Sequence, residues 1–227
     1  VARIRAALGA DAPVDSLRMV FDPAYAQRLA RCGIAFLDAP REVLSAVLTY
    51  LGLDPGTTDP EHYTRDAQAL LLGVRPWIRY FHSSQYINDL ANGEICIALG
   101  WSGDILQAAD RAREAGNGVE VAYAIPREGA LVWLDMLAIP ADARNVDNAH
   151  RFINYLLRPE VIAEVTGYVN YANANLAANA LLDPAILGNP GIYPPPAVRA
   201  RLYVNRVVSP RVDRVITRTW TAVKTAR

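Results

Sequence analysis

In the first half of the chain, apolar residues fall alternately into short unbroken runs and into helical spacings. Ile34 to Leu37, Ile78 to Phe81 and Ile95 to Leu99 are short apolar runs bounded by breakers, which predicts strands. Between the first two, Val43, Leu44, Val47, Leu48 and Leu51 recur at helical spacing and stop before Gly52. The punctuation agrees with this reading. The opening, through Leu17, predicts a helix followed by a turn at Ala12-Pro13-Val14-Asp15-Ser16, and Asp22-Pro23 starts a helix with Asp as N-cap and Pro at the first helical position. Cys32-Gly33 ends that helix, Asp38-Ala39-Pro40 reads as the cap of the next, and Asp59-Pro60 opens another through Leu72. Further helices are expected from Ser84 to Ala91, closed by Asn92-Gly93, and from Asp104 to Ala115, closed by Gly116-Asn117-Gly118. Strands alternating with helices place the chain in the α/β class.

The second half is read with the same rules. Val119 to Ile125 and Leu131 to Ile139 are expected as strands on either side of the turn Pro126-Arg127-Glu128-Gly129. Helices are expected over Asp147 to Leu157 and Pro159 to Gly167, and the proline-rich stretch from Pro190 to Pro196 reads as a crossing segment. No internal repeat is visible.

Composition narrows the function classes. Lys+Arg and Asp+Glu both number 23, so no net field draws the chain to a phosphate backbone, and nucleic acid is not expected as a partner. The longest apolar stretch, Ala130 to Pro140, is broken by Asp135 and falls short of the roughly 20 residues a spanning helix needs. Val1 to Arg5 shows neither an apolar run nor a cleavage site. Cys32 and Cys96 are the two cysteines, too few for a zinc site without nearby histidine, so no metal is expected. As residues alone they read equally well as core thiols or as a disulfide.

Candidate chemistry lies where strands end. Trp101 and Asp104 follow one strand, and Trp133 and Asp135 stand two residues apart on another, a spacing that puts both side chains on one face. A ring beside a carboxylate suits an organic cation, because the ring face attracts an ammonium group and the carboxylate neutralises it. Glu42, Asp104 and Asp135 would form a carboxylate triad for a flexible diamine or triamine. Paired carboxylates also serve glycoside hydrolysis, so a carboxylate-dependent hydrolase on an α/β scaffold is the alternative. His82-Ser83 has the residue types of a base and nucleophile, but there is no Gly-x-Ser-x-Gly elbow, and Gly100 to Asp104 lacks the Lys of a phosphate loop. No catalytic residue and no cofactor are expected.

Longer segments carry a resemblance. Tyr80-Phe81-His82-Ser83-Ser84-Gln85-Tyr86-Ile87-Asn88-Asp89-Leu90-Ala91-Asn92-Gly93 and Gly100-Trp101-Ser102-Gly103-Asp104 resemble segments of the periplasmic putrescine- and spermidine-binding proteins of Gram-negative bacteria. So do Ile125 to Ala130, Asn154 to Pro159, Tyr171 to Asn175 and Asn189 to Pro194. The resemblance implies a two-lobed periplasmic binding protein of type II, a non-enzymatic component that holds putrescine or spermidine in a cleft and presents it to ABC transporter permease subunits.

Carried over by position, Glu42, Ser83, Trp101, Asp104, Trp133, Asp135 and Tyr171 would line that cleft. Trp133 falls where putrescine-selective relatives carry Phe and spermidine-preferring ones carry Trp, which leans the ligand toward spermidine. Cys32 and Cys96 fall on a paired set in relatives, and the resemblance therefore implies a disulfide. It also implies that residues 1–118 and 190–227 form a nearly complete second lobe, with 119–189 part of a first lobe. Relatives begin with a further stretch before the position of Val1. The expectation is therefore that these 227 residues alone bind polyamine weakly and self-associate through the incomplete lobe.

Overall fold

The computed structural model describes residues 1–226. The elements follow in the order α1 (Ala2–Leu8), α2 (Arg18–Phe21), α3 (Pro23–Leu29), β1 (Ile34–Phe36), α4 (Pro40–Tyr50), a π-helical turn (His62–Ala67), α5 (Gln68–Val74) and β2 (Ile78–Phe81). They continue with α6 (Gln85–Ala91), β3 (Ile97–Leu99), α7 (Ser102–Ala115), β4 (Ala130–Leu131), α8 (Val146–Leu156) and α9 (Pro159–Val169). The last are α10 (Pro184–Leu187), α11 (Pro196–Arg199), β5 (Leu202–Tyr203) and α12 (Pro210–Thr225). Two compact units result, one of Val1–Val132 with the segment from Pro196 onward, the other of Trp133–Pro195. Among the described residues no helix is long and apolar enough to cross a membrane.

The larger unit is organised by a parallel three-stranded sheet of order β2-β1-β3. Ile34, Ala35 and Phe36 are all 0% exposed, as a central strand covered on both faces requires. Edge-to-face ring contacts run outward from it: Phe21 to Phe36 at 5.7 Å, Phe36 to Phe81 at 6.1 Å, and Phe81 to Trp220 at 5.1 Å. That chain of rings connects α2, β1, β2 and α12, and the last of these also lies against α4 and α5. The predicted caps form: the Asp22 carboxylate accepts the Ala24 amide at 3.0 Å, and α7 stops at Gly116 with φ 59°.

The Cys32–Cys96 disulfide closes the sheet at its amino edge, with the Cα atoms 5.5 Å apart. Cys32 precedes β1 and Cys96 precedes β3, and the Cys96 amide donates to the Gly33 carbonyl at 3.1 Å. The bridge thus begins the β1–β3 ladder that Ile34 and Ile97 continue.

The structure departs from the predicted elements in several places. The opening helix ends at Leu8, a few residues before the predicted turn at Ala12–Ser16. Asp38 does not cap α4. Its carboxylate instead accepts from Trp220 Nε1 at 2.9 Å and from Lys224 Nζ, tying the loop after β1 to α12. No strand forms over 119–125, although burial alternates there residue by residue, with Val121 and Tyr123 packed on the core. Alternation reports which face is covered; a strand also needs a neighbour to complete its ladder. Of the strand expected over 131–139, only Ala130–Leu131 pairs, in parallel with Leu202–Tyr203. Gly129 makes that approach possible, since at φ +126° a Cβ would lie 2.8 Å from the Arg201 carbonyl oxygen. The helix α12 lies beyond the proline-rich stretch, and its pattern of Val212, Ile216, Trp220 and Val223 was not among the predicted elements.

The unit boundaries at 132/133 and 195/196 also differ from 118/119 and 189/190. Residues 119–132 stay with the larger unit through specific contacts. Arg127 N–H donates to the Asp15 carbonyl at 2.8 Å, and the Glu128 carboxylate accepts from Ser16 Oγ and from the Leu17 amide at 3.2 Å. The smaller unit has a modest core of Ala163, Ala178 and Leu182, with Ile162 and Tyr193 against it.

Two expected outcomes follow from these linkages. Replacing both cysteines, Cys32→Ser with Cys96→Ser, frees a loop of sequence separation 64. On the chain-entropy account this costs about 4 kcal/mol and lowers the thermal midpoint by roughly 10 °C. An unchanged denaturant midpoint would show that the parallel ladder alone restrains this loop. The second outcome concerns Asp38, whose carboxyl is held below its ordinary value by the hydrogen bond from Lys224, with Trp220 adding to the effect and desolvation opposing it. A depressed folded-state value stabilises the protein above the unfolded value and loses that contribution as pH falls through the folded one. With Asp38 and Lys224 38% and 36% exposed, water screens the pair. Asp38→Asn should therefore cost about 1 kcal/mol near neutral pH, and the difference should shrink as pH falls below about 4 and vanish only below the depressed folded-state value. Denaturant midpoints across an acid pH series check this, and a difference that persists in acid contradicts it.

Candidate functional site

Three loops leave the carboxyl edge of the parallel sheet side by side. Asp38 stands two residues beyond β1, Ser83 two beyond β2 and Trp101 two beyond β3. Strand spacing sets these three exits within about 10 Å of one another. The ladder holds them up to the point of exit: His82 N–H donates to the Phe36 carbonyl at 2.9 Å, and Leu37 N–H to the Leu99 carbonyl at 3.1 Å. Glu42 joins this edge from the first turn of α4, which Pro40 begins.

Each of these side chains has a different local footing. The Glu42 carboxylate and the Ser83 hydroxyl make no hydrogen bond or ion pair among the described residues. Glu42 is half-buried and Ser83 exposed. Asp104 lies in the first turn of α7, where the helix dipole favours a negative charge. Its Oδ2 accepts the Tyr86 hydroxyl at 2.6 Å, and the same hydroxyl accepts the Trp101 amide at 3.2 Å. Trp101 and Asp104 are thus brought together through Tyr86, a residue that the sequence reading did not select. The available signal was Gly100, the one residue type that admits the Tyr86 ring beneath the strand end. A Cβ at Gly100 would meet that ring at 2.7 Å.

His82 has a structural use. Its Nδ1 accepts the amides of Ser84 at 3.2 Å and Gln85 at 3.0 Å, so the ring caps α6 and the neutral imidazole carries its proton on Nε2. No hydrogen bond joins His82 to Ser83 among the described residues, and the base and nucleophile of a hydrolase are not assembled here.

The remaining three candidates belong to the smaller unit. Trp133 and Tyr171 meet edge to face, with centroids 5.8 Å apart and planes at 70°. Tyr171 follows Asn170, whose left-handed backbone, φ 58°, ends α9. Two residues on, the Asn173 side chain donates to Thr166 Oγ1 at 3.0 Å, which fastens the segment after Tyr171 back onto the helix. Asp135 is exposed. Trp133 and Asp135 do not lie on a strand, so the shared face expected from their spacing does not apply; the ring partner of Trp133 is Tyr171.

In chemical terms, the larger unit offers two carboxylates, a hydroxyl and an indole at one sheet edge, and the smaller unit offers paired rings and a carboxylate. Among the described residues no cluster of metal-ligating side chains occurs. Carboxylates of this kind can neutralise a cation and rings can stack on it.

Comparison with known proteins follows this geometry. The chain is 54% identical over 227 residues to the putrescine-binding periplasmic protein PotF of Escherichia coli, covering 100% of this chain and 61% of that protein. It is 48% identical over 225 residues to the putrescine-binding periplasmic protein SpuD of Pseudomonas aeruginosa, covering 99% and 61%. The chain therefore spans 61% of the length of these curated relatives. Among solved structures, a spermidine/putrescine ABC transporter protein from Listeria monocytogenes superimposes with TM-score 0.78 at 28% identity, covering 94% of this chain and 62% of that one. The binding protein PotD of Streptococcus pneumoniae, at 24% identity and TM-score 0.74 over 94% and 64%, shares the fold. That fold is the two-lobed, type II periplasmic binding protein. A profile described as bacterial extracellular solute-binding protein matches residues 5–192, and the chain belongs to that family.

Proposed function

We propose that this protein is the periplasmic substrate-binding component of a polyamine ABC transporter, taking putrescine or spermidine and delivering it to the permease subunits without chemistry of its own. The observation that supports this most is the placement of Asp104, Glu42 and Trp101 at the carboxyl edge of the sheet, where open α/β sheets hold ligands. Each ammonium group taken from water needs a counter-charge, and the methylene chain between two of them needs apolar contact. Carboxylates and indole rings supply both.

In this reading Asp104 and Glu42 neutralise amines, Ser83 accepts an N–H, and Trp101 packs along the methylenes. Trp133, Asp135 and Tyr171, within the smaller unit, offer the same chemistry of rings and a carboxylate, and the wider face of Trp133 favours spermidine. The relatives' names, putrescine-binding periplasmic protein in both cases, agree with this ligand class and compartment. The smaller unit exposes Leu134, Met136, Phe152 and Tyr168, which supports self-association of the 227 residues when they are isolated.

Calorimetric titration of the protein at its native length tests the ligand. Putrescine and spermidine should bind and a neutral sugar should not. Asp104→Asn should weaken amine binding about 30-fold or more, as removal of one partner of a desolvated charge pair does. Amine binding indifferent to Asp104→Asn would sink this reading. Sedimentation velocity on the isolated 227 residues should show larger species growing with concentration, and a monomer at all concentrations would exclude self-association.

A further inference from the structure

We propose that Tyr86 is a positioning residue for the ligand-binding edge, acting on a bound amine only through Asp104 and Trp101. The inference rests on the polyamine reading above. Tyr86 lies on α6, is 0% exposed, and belongs to the core rather than to any surface a ligand can reach. Its hydroxyl is the one polar atom of the side chain, and it is committed in both directions. It donates to Asp104 Oδ2 at 2.6 Å and accepts the Trp101 amide at 3.2 Å. A single oxygen therefore links the exit of β3 to the first turn of α7.

The ring cannot swing away from this task. A Cβ at Gly100 would meet Tyr86 Cε2 at 2.7 Å and Cζ at 3.0 Å, so the ring already fills the space under the strand end. A carboxylate in the first turn of a helix ordinarily samples several rotamers, and a ligand that needs one of them must bear the ordering cost. The buried hydroxyl meets that cost during folding. It also fixes the Trp101 backbone, hence the position from which the indole starts.

The test is a double-mutant cycle on amine affinity in the protein at its native length, with putrescine and spermidine as probes. Tyr86→Phe keeps the ring and removes the oxygen, and it should weaken binding about 10-fold, as loss of a hydrogen bond to a charged group does. In the Asp104→Asn background the same change should cost less than about 2-fold, because the carboxylate it positions is gone. In the Asp135→Asn background, which alters a carboxylate of the smaller unit, the 10-fold loss should persist. Gly100→Ala, which crowds the ring and leaves the hydroxyl in place, reads the same coupling should Tyr86→Phe fold poorly. A merely structural role would lower affinity equally in all backgrounds, and that result overturns the proposal. Amine binding by the unsubstituted protein that is insensitive to Tyr86→Phe overturns the positioning role alone, whereas no amine binding at all overturns the polyamine reading with it.

Discussion

Full burial of β1 is the constraint from which the rest of the larger unit follows. A central parallel strand must pair on both edges and be covered on both faces, because its backbone groups and its side chains have no access to water. The first requirement places β2 and β3 on either side, and the second is met by a core that the strand shares with α4, α5, α7 and α12, through residues such as Leu44, Leu71, Ile105 and Trp220. Once this is met, the three loops that leave the carboxyl edge have no freedom in their spacing. Asp38, Ser83 and Trp101 stand where the ladder delivers them.

The two edges of that sheet do different work. At the amino edge, the Cys32–Cys96 bridge and the Cys96 to Gly33 hydrogen bond close β1 onto β3. No candidate ligand group lies at that edge. The carboxyl edge carries the charge, and its carboxylates divide by use. Asp38 is committed to Trp220 and Lys224 and secures a helix that returns from the far end of the chain. Asp104 is held by Tyr86, while the Glu42 carboxylate has no partner among the described residues. A sheet edge with every carboxylate paired internally would have little left to neutralise a cation.

The smaller unit is built to a different standard. Its core is a few small side chains, and α8 buries none of its residues. Its order near Trp133 and Tyr171 includes one ring pair, a left-handed Asn170 and the side-chain bonds of Asn173. Exposed apolar groups such as Met136 and Tyr168 are costly to leave in water, which makes this unit the less self-sufficient of the two.

By itself the sequence determined the α/β alternation, the caps at Asp22 and Gly116, and the residue types that suit a cation, because these depend on local periodicity and on backbone preferences that neighbours in the chain impose. The longer segments that resemble polyamine-binding proteins carried the candidate residues and the cysteine pairing, which spacing alone left open. Tertiary structure decided what depends on distant partners. Residues 119–125 alternate like a strand but lack a ladder neighbour, and Trp133 turns out to face Tyr171 rather than to share a strand face with Asp135. Asp38 stands before a proline like a helix cap, yet it bonds to side chains about 180 positions away. Tyr86 reads locally as one more apolar residue of an amphipathic helix. Only folding brings its hydroxyl to Asp104 and Trp101, because the hydrogen bonds of a buried polar atom are chosen by whatever the core places around it.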